Sequence, residues 1–177
     1  MITIEIIEED IKSAREIEKA YRDTALRNHK CMGFCSEDKD FKGGLGEAVF
    51  SHFYHLKVNL CPLAKGDKYD FKIDDKKIDV KTSALKYGTV DKLSPKWRFL
   101  VATFQISRKI DYYVNIILSS DMKVAYIMGL IDKESVKKCG IKTHDSQGNP
   151  LPYPAYAVPL KRLVPIEKLM ETIRCIQ

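Results

Sequence analysis

Residues 69–83, YDFKIDDKKIDVKTS, alternate apolar and charged side chains twice over, and no other stretch narrows the possible folds as much. Side chains of a β-strand point to opposite faces in turn. Read this way, 69–73 and 78–82 are two strands joined by the polar turn 74–77. Tyr69, Phe71, Ile73, Ile78 and Val80 then point into a core. Asp70, Asp79 and Lys81 gather on the other face.

Two carboxylates beside a lysine make chemical sense. Hard divalent cations such as Mg²⁺ take oxygen ligands, often one or two carboxylates with phosphate and water. Such an ion polarises a phosphoryl oxygen and lowers the pKa of a bound water. An ammonium nearby orients the nucleophile or stabilises transition-state charge. The acid-x-lysine spacing alone is weak, because it also occurs at Asp10/Lys12, Asp40/Lys42 and Asp121/Lys123, among others. Context sets Asp79/Lys81 apart: an alternating strand, a preceding strand with Asp70, and Thr82-Ser83 after it. The same pattern also fits a hairpin with one solvated polar face.

Around this hairpin, 2–7 reads as a strand and 9–29 as a helix, with Ile11, Ala14, Ile17, Tyr21 and Ala25 on its apolar stripe. Residues 28–42 read as a loop. A second helix starts at 43–45 and runs to about 56, with Leu45, Ala48, Val49, Phe53 and Leu56 facing inward. Glu47 falls about 200° from Leu45, off that stripe. It also fits a surface acid favoured by the first helical turn. His52 and His55 on this helix read as packing or surface residues. Further strands are expected within 97–105 and at 111–118, 122–130 and 155–159, with 142–154 as a loop. Asp132 should cap a short helix ending before Gly140, and Pro165 should open a last helix. This order suggests an α/β chain with a mixed sheet and flanking helices.

The length of 177 residues suits one domain, divided as 1–42 (strand, helix and loop), 43–105 (the core with the acidic motif) and 106–177 (later strands and closing helix). No apolar run approaches a bilayer span, and the acidic N-terminus lacks a signal-peptide layout, so an intracellular, cytoplasmic protein is expected. The net charge of +6 makes a polyanionic partner plausible. Lys86, Lys92, Lys96 and Arg98, with Tyr87 and Trp97 among them, could grip phosphates and stack bases. Five cysteines, an odd number, argue against a disulfide framework. His29, Cys31 and Cys35 lack a matching second pair for zinc.

Asp70 followed by Asp79-Val80-Lys81 resembles the PD-(D/E)xK signature of restriction-endonuclease-like nucleases. Gly43-Gly44-Leu45-Gly46-Glu47 resembles the glutamate-bearing helix that precedes it in many members. Tyr69 stands where the signature has proline. The looser resemblance runs to about residue 170, in segments similar to small phage and bacterial nucleases. It implies a restriction-endonuclease-like mixed sheet between helices and a phage- or virus-type DNA endonuclease using Mg²⁺, with Mn²⁺ able to substitute. Asp70 and Asp79 would ligate metal, with Val80 between the motif residues also in the metal site and Glu47 an accessory ligand. Lys81 would position water or stabilise charge, and Gln105 would help orient the water. A homodimer would cut both strands of a duplex. Alternatives are a non-catalytic nucleic-acid-binding module on the same fold and an RNA-directed nuclease.

Overall fold

The computed structural model describes residues 1–27, 37–58, 60, 69–145 and 147–167. Its elements are β1 (Ile2–Glu5), α1 (Glu8–Arg27), α2 (Glu37–Phe53), β2 (Phe71–Ile73), β3 (Lys76–Ala84), β4 (Arg98–Ala102), β5 (Tyr112–Leu118), β6 (Val124–Asp132), α3 (Lys133–Lys137), β7 (Ile141–His144) and β8 (Pro150–Pro159). The larger sheet runs β1-β6-β5-β3-β2, and the smaller runs β4-β8-β7. β3 and β5 are parallel, while the other pairs are antiparallel, so the larger sheet is mixed. No helix among the described residues is long and apolar enough to cross a membrane.

β5 lies at the centre because its sequence, YYVNIIL, suits burial on both sides. Val114, Ile116 and Leu118 join Ile17 of α1 and Leu45, Val49 and Phe50 of α2 in one core. Tyr113 points the other way, into a second core with Ile131 of β6 and Phe99, Val101 and Val158 of the smaller sheet. The larger sheet is therefore covered by two helices on one face and by the small sheet on the other. β6 keeps its apolar residues in phase through a bulge. Asn115 pairs with Gly129 but Ile116 with Ile127, leaving Met128 as the extra residue. Gly129 has φ +137°, and a side chain there would run into the Val164 carbonyl, so glycine is required.

Several expectations need correction. α2 begins at Glu37, not at 43–45, so 37–42 of the expected 28–42 loop is helical, and the rest of that loop lies outside the described residues. Its first turns carry one apolar residue, Phe41, which packs against the core with the Arg15 guanidinium 4.0 Å from its ring centre, and the Lys42–Asp38 pair at 2.6 Å supports the outer face. On the same helix Phe50 is fully buried and Phe53 is 40% exposed, the reverse of the expected stripe position. Ile11 of α1 is likewise exposed. The hairpin turn is tighter than 74–77, with Asp74 at φ +50°, a conformation aspartate tolerates. The 142–154 loop is largely β7 and the start of β8. Its prolines hid the strand. β4 pairs with β8 only from Ala155 to Pro159, so the proline-bearing half has β7 as its one neighbour and is a sheet edge, where proline is tolerated.

Asp132 caps α3 as expected, its carboxylate accepting from Ser135 N at 2.8 Å. His29, Cys31, Cys35, Cys61 and Cys175 lie outside the described residues, as does the closing helix beyond Glu167. Cys139 is a buried free thiol. His52 ties the two helices together, its Nδ1 lying 3.2 Å from the buried Asp10 carboxylate.

Candidate active site

The antiparallel β2–β3 ladder runs Phe71↔Ile78, Lys72↔Lys77 and Ile73↔Lys76, and no further. Next to it Asp70 N donates to Ile78 O at 2.9 Å. The Asp70 carboxylate then takes the place of a strand partner, with Oδ2 accepting from Val80 N at 2.6 Å. Asp70 is thereby pinned to the motif strand at the residue between Asp79 and Lys81. Tyr69 does not join the core face with Phe71 and Ile73. It packs into the second core, with the Lys77 ammonium 5.6 Å from its ring centre.

Asp79 and Lys81 do sit together, and Asp79 is not solvated. Asp79 is 3% exposed, because the small sheet and the second core cover this face of β3. Lys81 Nζ lies against Asp79 Oδ2, and that oxygen takes no further hydrogen bond. The reading of this hairpin as having one solvated polar face is thus overturned. Ile78 and Val80 fill the helix-side core as expected.

Two residues that sequence reasoning did not single out complete the surroundings. In the parallel register Tyr113 stands beside Asp79 and Asn115 beside Lys81. Burial, and then the negative charge of Asp79, push the Tyr113 hydroxyl well above its ordinary pKa, while Arg108 pulls the other way. It therefore stays protonated and donates to Gln105 O at 3.4 Å. Asn115 Nδ2 donates to Lys81 O at 3.0 Å. Asn115 Oδ1 is buried without a donor. The one available signal was an asparagine interrupting the apolar run of β5. A buried amide there must be satisfied by something specific.

The remaining candidates are more dispersed. α2 packs on the face of β3 opposite Asp79 and Lys81. A side chain at Gly46 would collide with Thr82, whose Oγ1 donates to Gly43 O at 3.5 Å. Glu47 follows this contact, half-buried. Gln105 lies in the 3₁₀ turn Thr103–Ser107, and its main-chain carbonyl meets Tyr113. Lys86, Lys92 and Lys96 are exposed on the loop after β3. Tyr87 is 78% exposed, with the Lys86 ammonium 5.3 Å from its ring centre. The Arg98 guanidinium is occupied by its own loop, donating to Pro95 O and Trp97 O at 2.8 and 2.7 Å. Trp97 packs against the second core.

Among the described residues, no group of three or more His, Cys, Asp and Glu side chains is arranged to hold a metal ion. A cation at Asp70 and Asp79 would complete its shell from main-chain oxygen, water and phosphate, as Mg²⁺ commonly does. The buried Asp79 carboxylate, with Oδ2 against the Lys81 ammonium and no other hydrogen bond on that oxygen, is the donor such an ion would use. No protein-family model and no curated protein matches the sequence.

Proposed function

We propose that this chain is a metal-dependent DNA endonuclease of the PD-(D/E)xK type, with a restriction-endonuclease-like core, hydrolysing phosphodiester bonds. The observation that carries the reading is the buried Asp79 paired with the half-buried Lys81, with Asp70 fastened to the residue between them. Withdrawing opposite charges from water costs several kcal/mol per ion, and apolar residues of similar volume often serve stability as well or better. A pair kept under such a cover is more readily explained by chemistry than by folding.

In this reading Asp70, Asp79 and the Val80 carbonyl hold Mg²⁺ or Mn²⁺, and Glu47, on the α2 side of β3, is not one of the ligands. The ion supplies Lewis acidity at the phosphoryl oxygen and an acidified water. Asp79 holds the Lys81 ammonium in place. Lys81 donates hydrogen bonds to the attacking water or to the oxygen on which charge develops. Asn115 holds the Lys81 main chain in place. Gln105 is a further polar group for orienting water. Lys86, Lys92 and Lys96 offer exposed cations for the DNA backbone, and a homodimer would cut both strands.

Circular, linear, branched and single-stranded DNA incubated with and without Mg²⁺ tests this directly. Cleavage should need the metal and be abolished in Asp79→Asn. Lys81→Ala should retain DNA binding and turn over at least about a hundredfold more slowly, the lower end of the loss on removing one charge-stabilising group. Wild-type rates in both variants would sink the proposal. A second reading, a non-catalytic nucleic-acid-binding module on the same fold, is favoured by the absence of a three-carboxylate group among the described residues. It expects binding without cleavage of any of these substrates.

A further inference from the structure

A cleft of about 490 Å³ opens where β3 and β5 begin and β6 ends. Four lysines line it: Lys76, Lys77, Lys109 and Lys133. Its three carboxylates have local work. Asp111 Oδ2 accepts from Lys77 N at 2.8 Å, and Asp132 accepts from Ser135 N at 2.8 Å. Glu134 pairs with Lys137 at 2.7 Å. Lys133 Nζ is also engaged, donating to Arg108 O at 2.8 Å. Lys76 and Lys109 are exposed, and among the described residues their side chains have no partner. The charge left over in the cleft is positive.

The cleft is joined to the candidate active site by strand geometry. Lys77, Asp79 and Lys81 occupy alternate positions of β3 and so share one face. Two residues of strand separate Lys77 from Asp79, or about 7 Å. We propose that this cleft is a phosphate subsite for the backbone of the DNA strand being cut, on the side of Asp79 opposite the loop with Lys86, Lys92 and Lys96. It rests in part on the nuclease reading, and it extends that reading by placing basic groups at both ends of β3. Cations at both ends would contact phosphates on either side of the site instead of at one flank of it.

The test is a Lys76→Ala/Lys109→Ala double variant. Both side chains are exposed and unpartnered, so the melting temperature should stay at the wild-type value. Binding of a fluorescent DNA duplex is followed by anisotropy across a salt series, with Ca²⁺ in place of Mg²⁺. Each neutralised phosphate contributes about 0.9 to the slope of log affinity against log salt, so the variant's slope should be shallower by up to about two units. Lys76→Glu/Lys109→Glu should weaken binding further. Unchanged affinity and slope in both variants would overturn the subsite. Cleavage by the wild type with Mg²⁺ is measured separately. Wild-type cleavage together with unchanged variant binding overturns the subsite alone. A shallower slope in a protein that never cleaves retains the subsite and overturns the nuclease reading. Absence of salt-dependent DNA binding by the wild type overturns the subsite as well.

Discussion

At the scale of single residues, the proposed nuclease role sets function against stability at Asp79 and Lys81. Removing Lys81 leaves a buried carboxylate alone, so Lys81→Met should cost about 3–5 kcal/mol of unfolding free energy. Asp79→Leu should cost less, because the Lys81 ammonium reaches solvent. Asp79→Leu with Lys81→Met should instead be near neutral, or stabilising by up to about 1–4 kcal/mol. Urea midpoints with unchanged m-values check both. A double variant as unstable as the singles would mean that the pair is structural after all. Asn115 behaves differently. Asn115→Leu frees the Lys81 carbonyl but also removes the donorless Oδ1, so its stability loss should be small beside its loss of turnover. The pairing of Asp79 with Lys81 could be read from the sequence because two residues in one strand share a face whatever else happens. The partnership of Asn115 with Lys81 could not, because it depends on a register set between strands far apart in sequence.

At the scale of elements, α3 depends on its cap. Partial burial works to raise the Asp132 carboxyl, and the hydrogen bonds from Ser135 outweigh it, so its pKa lies below the ordinary carboxylate value. A carboxyl lowered by folding stabilises at pH values above its unfolded pKa of about 3.9, and that contribution fades as pH falls through the lower folded value. Asp132→Ala should cost about 1 kcal/mol at neutral pH, as lost N-caps typically do, and less in acid. Thermal melts at two pH values check this. Gly129→Ala should cost more than about 1 kcal/mol, because its positive φ and the nearby Val164 carbonyl both exclude a side chain. Elements with a clean period or a continuous apolar run were legible: α1, β3 and β5, and β6 despite its bulge. The first turns of α2 were not, since a polar segment with Phe41 as its one apolar residue shows no stripe to detect. Nor was the start of β8, where Pro150, Pro152 and Pro154 read as a loop although the strand merely lacks a β4 neighbour there.

At the scale of the molecule, a mixed sheet with flanking helices was expected, and the second sheet was not. Alternation in 78–82 predicted one polar face, and it cannot reveal that another sheet will cover that face. Two cores on either side of β5 imply a gradient of protection. Amides of β5 should exchange hydrogen only on global unfolding, while those of β7, whose four residues are all exposed, should exchange through cheaper local opening. Hydrogen-exchange mass spectrometry would register uniform rates if the small sheet were as firmly held as β5. The pairing of the small sheet also has a consequence for the order of assembly. Arg98 meets Pro159 and Ala102 meets Ala155, so β4 finds no strand partner until β8 has been made. A chain emerging N-terminus first from the ribosome exposes its acidic motif long before Val158 arrives to help close the second core. Such distant pairings form slowly. Until β8 is made, the nascent polypeptide therefore carries Asp79 and Lys81 without the second core that covers them, and the pair is withdrawn from water only after that strand has emerged.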